Sequence, residues 1–293
     1  MQRILITGAN GQVGWELQRS LAPLGKVSAL DHSGMDLSNA DSIRNAVREA
    51  KPSIIVNAAA YTAVDKAESE PDLAMQVNGT APGILAQEAK RIGALLVHYS
   101  TDYVFDGTKD KPYIEGDRSN PVSSYGRSKL AGEQAIHAIG APHLIFRTSW
   151  IYASRGSNFV RTMLRLARER PELKIVNDQL GAPTWARSIA DMAAQVLNNL
   201  ERARENSGIY HFTAGGAVSW FGFAEAIFAE ARSRISEFKA PALTPIPTSA
   251  YPLPARRPAN SRLDTAKFTA TFGVNPPRWD TALQECMKEI EDY

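Results

Sequence analysis

Ile4-Leu5-Ile6-Thr7-Gly8-Ala9-Asn10-Gly11-Gln12-Val13-Gly14 decides the fold. An apolar, β-branched run breaks at a glycine, and the three glycines then lead into an amphipathic pattern that continues to Leu24. Strand, glycine turn and helix in that order form the opening of a dinucleotide-binding βαβ unit. Gly8 suits the tight turn, and Gly11 lets backbone amides approach a pyrophosphate at the helix N-terminus. Gly14 permits close packing of helix on strand. The spacing departs by one residue from the G-x-G-x-x-G pattern, and glycines also end strands for purely structural reasons. The flanking strand and helix therefore carry more weight than the glycines themselves.

Working outward, the first half alternates short apolar runs with helical patterns, the sequence form of a parallel sheet covered by helices. Strands are predicted at Arg3 to Thr7, Lys26 to Asp31, Ile54 to Asn57, Leu95 to Ser100 and His143 to Arg147. Helices are predicted at Val13 to Leu24, Ala40 to Ala50, Pro71 to Ile92 and Tyr125 to Ile139, with Gly25, Gly93 and Gly140 as C-cap glycines. After Trp150 the alternation weakens and proline becomes frequent, notably in Pro241 to Pro258. The expected architecture is α/β: a Rossmann-like, doubly wound parallel sheet over residues 1–149, then a smaller mixed α/β substrate lobe over residues 150–293. Ile209 to Thr213 reads as a strand that returns to the main sheet, so the boundary is not a clean cut.

Composition narrows the partners. The 293 residues are 44% hydrophobic, enough for a sizeable core. A net charge of +2 with scattered basic residues points away from nucleic acid and anionic membranes, and leaves room for an anionic small molecule. Met1 runs almost at once into Ile4-Leu5-Ile6 without a signal-peptide pattern, and no apolar run reaches the roughly 20 residues of a membrane span. Cytoplasmic residence is expected. The single cysteine, Cys286, excludes an internal disulfide and reads as a half-buried structural thiol.

Further positions bear on chemistry. Asp31 closes the second strand about 20 residues beyond the loop, where an acid binds the ribose 2′-OH of the adenosine half. A carboxylate there favours NADH over NADPH; a turn aspartate in Asp31-His32-Ser33-Gly34 is the plainer alternative. Asp36 and Leu37 follow closely enough to bracket the adenine. Thr101, in Tyr99-Ser100-Thr101-Asp102, ends a predicted strand at the sheet edge where open parallel sheets bind ligands, although such runs also cap helices. Tyr125 and Lys129 stand one helical turn apart after the loop Asn120-Pro121-Val122-Ser123-Ser124. A lysine ammonium beside a phenol favours its ionised form and makes it a proton donor and acceptor near neutral pH.

With these residues in this order, the chain resembles the extended short-chain dehydrogenase/reductase superfamily, in which a Ser/Thr, a Tyr and a Lys form the catalytic triad. Within it the closer resemblance is to the dTDP-4-dehydrorhamnose reductase family, through Gly11 to Gly14, Val56 to Glu68, Tyr99 to Phe105, Arg147 to Trp150 and Asp178 to Thr184. The resemblance implies reduction of the C4 ketone of dTDP-4-dehydro-L-rhamnose by NADPH or NADH. It implies that Gly11, Gln12, Val13, Asp31, Asp36, Leu37, Ala60, Thr62, Tyr125 and Lys129 contact the cofactor, joined by Gly8 and Gly14 of the loop. Thr101, Asp102 and Trp150 are implied to face the sugar nucleotide, and Arg256 or Arg257 is placed to meet its pyrophosphate. Tyr125, Lys129 and Thr101 are the catalytic set.

Some members of that family pair around a Mg²⁺ held by two glutamates and a serine. Glu16 and Ser249 match two of those positions, but Arg187 stands at the third, and a guanidinium cannot ligate Mg²⁺. No such metal site is expected, Glu16 and Arg187 are candidates for a direct pair, and oligomeric state is left open. Two rival readings stand beside the reductase. A related epimerase or 4,6-dehydratase shares the triad, although dehydratases carry an acid pair after the threonine and here Asp102 is followed by Tyr103. A non-catalytic regulatory subunit would have no need of Thr101, Tyr125 and Lys129 together.

Overall fold

Apolar side chains that alternate between two faces build the sheet. In the computed structural model, which describes residues 2–290, β1 (Gln2–Thr7), β2 (Gly25–Leu30), β3 (Ile54–Asn57), β4 (Leu95–Thr101) and β5 (His143–Thr148) are joined by a sixth strand, Gly208–His211. The order across the sheet is Gly208–His211, β5, β4, β3, β1, β2, and every pairing is parallel. Ile4, Ile6, Ile54, Val56, Leu95, Val97, Leu144 and Phe146 enter one core. Their neighbours Leu5, Ile55, Leu96 and Ile145 enter the other. Both faces are covered, so the strands are apolar nearly throughout. Each such side chain is worth roughly 1.5–3 kcal/mol on burial.

Helices α1 (Gln12–Leu21) and, much later in the chain, Ala186–Leu197 cover the first face. Helices α2 (Ala40–Ala50), α3 (Pro71–Met75), α4 (Ala81–Ile92) and α5 (Ser124–Ile139) lie on the second. The single helix predicted over Pro71 to Ile92 is interrupted by a π-helical turn, Gln76–Thr80. Pro82 has no N–H to give the Asn78 carbonyl four residues back. Gly132 of α5 packs against that carbonyl, where a Cβ would come to 2.2 Å. Gly93 and Gly140 cap their helices with φ of 68° and 65° as expected. Gly25 also follows the last turn, the 3-10 segment Ala22–Leu24, but with an extended backbone: it begins β2, and a Cβ there would lie 2.3 Å from the Gln2 carbonyl oxygen.

Chain order reverses between β1 and β3, leaving a crevice at the strands' C-terminal ends, the usual place for a ligand in such sheets. The second half contributes both to this sheet and to a lobe of its own. Three short pairings make that lobe: Ile151–Tyr152 with Thr184–Trp185, Glu172–Val176 with Ala242–Ile246, and Leu180–Gly181 with Val218–Ser219. Helices Phe159–Glu169, Trp220–Arg234 and Trp279–Lys288 close its core. Cys286 is fully buried there rather than half-buried, and burial pushes its thiol up to about 12. No helix among the described residues is long and apolar enough to cross a membrane.

Candidate active site

The turn after β1 leaves no room for side chains. Gly8 has a φ of 71°, and a Cβ on it would meet the Ala59 backbone at 2.9 Å. A Cβ on Gly14 would lie 2.1 Å from the Gly8 carbonyl oxygen, so α1 starts hard against the loop. Gly11 is the N-cap of α1 and supplies no capping side chain. The first-turn amides are thus left for a ligand, and a helix N-terminus favours an anion.

A cavity of about 850 Å³ opens over this turn, lined by Gly8, Gly11, Gln12, Val13, Asp31, Asp36, Leu37, Ala60, Thr62, Thr101, Asp102, Tyr125 and Trp150. These are residues from separate segments of the chain that the sequence reading grouped as one site. Gly14 and Lys129 stand behind the wall. Asp31 is both a cavity residue and a turn aspartate: it accepts from Ser33 N (3.0 Å), Ser33 Oγ (2.6 Å) and Gly34 N (3.2 Å), while Asn10 Nδ2 donates to its other oxygen at 3.0 Å. The Ser33 hydroxyl, with the other donors, holds its carboxyl below the ordinary range. Asp36 is held low in the same way by Ser38.

Thr101 ends β4. Its hydroxyl accepts from Tyr103 N at 3.2 Å and donates to Asp102 Oδ1 at 3.0 Å, so it is cap and cavity residue at once. The Asp102 carboxyl is 2% exposed, and burial raises it to about 6 against the pull of hydrogen bonds from Ser261 and Thr101. Tyr125 starts α5, which Ser123 caps through Gly126 N at 3.1 Å. Gly126 allows the helix to touch the Tyr103 carbonyl, to which a Cβ would come within 2.2 Å. The Tyr125 ring meets Tyr103 edge-on, with centroids 5.5 Å apart.

Lys129 departs from expectation. Its Nζ donates to the Tyr99 carbonyl at 2.6 Å and lies 3.4 Å from His98 Nε2. The Tyr125 phenol is accordingly not drawn down. Burial, followed by the Asp102 carboxylate, holds it above its usual range, with a Thr101 hydrogen bond acting the other way. Burial lowers Lys129 to about 8, partly opposed by Glu133.

Trp150 adopts a left-handed backbone, φ 47°. Its ring stacks on Trp220 at 3.5 Å, and Gly181 lies so close that a Cβ would meet Trp150 Cε2 at 2.5 Å. Trp220 also lines a second cavity of about 1310 Å³, together with Asp65, Gln179, Tyr251, Arg256 and Arg257. The stacked tryptophans form part of the partition between the two spaces. Arg257 does not offer a bare guanidinium there: its Nη1 and Nη2 donate to Asp65 at 3.0 and 2.7 Å. Arg256 is exposed on the same rim. Trp220, Gly181 and His98 went unread in the sequence, since only packing brings them to the site.

Across the whole length, residues 1–292 match the family model described as RmlD substrate binding domain. A dTDP-4-dehydrorhamnose reductase of Burkholderia thailandensis is 54% identical over 294 residues, covering 98% of this chain and 99% of that protein. The chain belongs to the dTDP-4-dehydrorhamnose reductase family. A Shigella flexneri member is 49% identical over 98% of this chain and 97% of its own length. The crystal structure of the Bacillus anthracis dTDP-4-dehydrorhamnose reductase in complex with NADP superposes with a TM-score of 0.91 at 36% identity, covering 98% of this chain and 99% of that one.

Glu16 and Arg187, the candidates for a direct pair, do pair. Arg187 Nε donates to Glu16 Oε2 at 2.9 Å, and its Nη1 pairs with Glu289. The guanidinium itself supplies the positive charge between the two carboxylates. Ser249 is exposed on the short turn Thr248–Ala250.

Proposed function

We propose that this chain reduces dTDP-4-dehydro-L-rhamnose to dTDP-L-rhamnose, with NADPH or NADH as the reductant. One observation carries the reading: Tyr125, Thr101 and Asp102 face the same cavity as the uncapped N-terminus of α1. The reduced nicotinamide supplies the hydride that goes to C4 of the sugar. Gly8, Gly11, Gln12 and Val13 hold the pyrophosphate through backbone amides, and Gly14 keeps α1 close enough to present them. Asp31 takes the adenosine ribose and favours NADH, Asp36 and Leu37 border the adenine, and Ala60 and Thr62 line the path toward the nicotinamide. Tyr125 donates a proton to the C4 oxygen as negative charge develops there, and Thr101 steadies the same oxygen by a hydrogen bond. Lys129 holds the nicotinamide ribose and steadies the phenolate, which requires its amine to turn from Tyr99 toward Tyr125.

Trp150 gives the sugar ring a flat wall against which Asp102 fixes a hydroxyl. Arg257 is braced by Asp65, so Arg256 is the better placed of the two to meet the nucleotide's pyrophosphate. The enzyme is proposed to work in the cytoplasm, where its nucleotide-sugar substrate is made. A mixture of the protein with dTDP-4-dehydro-L-rhamnose and NADPH or NADH should lose one equivalent of reduced cofactor per ketosugar and yield dTDP-L-rhamnose. Unchanged absorbance with recovery of an epimerised ketosugar would support the epimerase reading instead. Cofactor binding without any turnover of nucleotide ketosugars would support the regulatory one.

A further inference from the structure

Beneath Lys129 a line of buried polar side chains crosses the sheet from β1 through β3 to β4. Thr7, Asn57 and His98 are each 1% exposed, and Lys129 is 2% exposed. Ala59 N donates to Thr7 Oγ1 at 3.2 Å, which leaves the Thr7 hydroxyl hydrogen for Asn57 Oδ1 at 2.7 Å. The Asn57 amide is thereby oriented with Nδ2 toward His98 Nδ1, at 3.0 Å. An Nδ1 that accepts places the imidazole hydrogen on Nε2, the atom that faces Lys129 Nζ at 3.4 Å. An N–H cannot accept from an ammonium, and Lys129 gives its hydrogen to the Tyr99 carbonyl instead. Once Lys129 loses a proton, its lone pair becomes an acceptor for the same Nε2–H.

We propose that His98 is a positioning residue of the reduction: an uncharged imidazole, held in the Nε2–H tautomer by Asn57 and Thr7, that receives the Lys129 amine when Lys129 gives up its proton. This rests on the reductase reading above. In the step concerned, C4 would gain its hydride as a C–H bond of the reduced nicotinamide breaks and that ring is oxidised, and the Tyr125 O–H bond breaks as its proton goes to the C4 oxygen. Lys129 restores the Tyr125 proton and becomes an amine, and solvent returns the proton to Lys129. His98 makes the middle state less costly by offering the neutral amine a hydrogen bond that it cannot offer the ammonium. Other charged groups close by are accounted for. Glu133, one turn on from Lys129, favours the ammonium, but it is itself clamped by Arg147 at 2.9 and 2.6 Å. Asp102 and Tyr125 stand on the cavity side. Burial, followed by the Lys129 charge, keeps His98 neutral.

The direct test is ¹⁵N-histidine NMR of the intact protein between pH 6 and 9. A neutral His98 with its hydrogen on Nε2 throughout is expected; a charged ring or the Nδ1–H tautomer would overturn the proposal, whatever the protein reduces. Kinetics supply the second arm. In His98→Phe the alkaline limb of the kcat profile is expected about one pH unit higher, with KM for cofactor near wild type, while His98→Gln, which keeps an N–H donor, moves it back. A folded His98→Phe enzyme whose profile overlays wild type would reduce His98 to a packing role. Absence of turnover in the wild-type protein would sink the reductase reading and with it the catalytic role of His98, whereas the wrong tautomer by NMR would sink the His98 proposal and leave the reductase reading intact.

Discussion

Around the glycine loop the decisive contacts join residues near one another in the chain, whereas around Trp150 they join residues far apart. Gly14 packs on Gly8 six positions earlier, and Gly11 N closes the turn on Gly8 O at 2.9 Å. Trp150 instead packs on Gly181 and Trp220, and the loop after it is tied back to the first half by Asn158 Nδ2 donating to Gln12 Oε1 at 3.0 Å. The first arrangement is backbone against backbone, so it tolerates no added atom. The second is ring against ring, and a ring can shift. One end of the cavity is therefore rigid by local geometry, and the other is adaptable by distant packing.

The largest expected effect lies where the two regions meet. Tyr125→Phe should lower kcat by about 10²–10⁴, the usual range for a lost general acid, with cofactor affinity by fluorescence titration kept. Preserved turnover would remove Tyr125 as proton donor. Asp102 also stands between the regions, and its pH behaviour has a definite sign. A carboxyl raised to about 6 in the folded state contributes stability below its unfolded value and loses it as pH rises through 6. The loss is on the order of 3 kcal/mol. Asp102→Asn should therefore gain Tm relative to wild type between pH 4 and 7, and parallel Tm curves would show that the carboxyl is not raised.

Two alanine substitutions separate the ends of the cavity. Gly14→Ala drives a methyl into the Gly8 carbonyl and should destabilise by about 1–3 kcal/mol while weakening cofactor binding. Gly181→Ala presses only on the Trp150 ring, and a rise of about tenfold in KM for the sugar nucleotide is expected, the worth of roughly 1.4 kcal/mol. Equal damage to both ligands in both variants would abolish the distinction drawn here. The smallest effect is expected at the cavity rim, where Asp31→Asn should shift preference toward NADPH by roughly a few-fold in kcat/KM ratio, because solvent screens the charge it removes.

The β1 turn, the five first strands and the order of Thr101, Tyr125 and Lys129 were legible because period and glycine placement are local signals. The helix break at Gln76–Thr80 was not, since it depends on Pro82 and on Gly132 arriving from α5. Arg257 read as an open cation, but Asp65 lies 192 positions away and claims both of its Nη atoms. Lys129 was placed on the right face, but its amine meets the Tyr99 carbonyl and His98 here rather than Tyr125. Helical spacing sets where a Cβ lies, whereas a four-carbon stem ends wherever the buried acceptors are.

By itself, then, the sequence determined the parallel sheet, the glycine turn after β1 and much of the lining of one cavity, because strand period, glycine sterics and helical spacing act over a few residues. Tertiary structure alone decided the direction of the Lys129 amine, the stacked Trp150 and Trp220, the Asp65 brace on Arg257 and the Glu16–Arg187–Glu289 cluster. Those outcomes depend on which distant groups share a dry interior. There each polar atom must find a partner, and each ring a neighbour, from whatever the fold brings within reach.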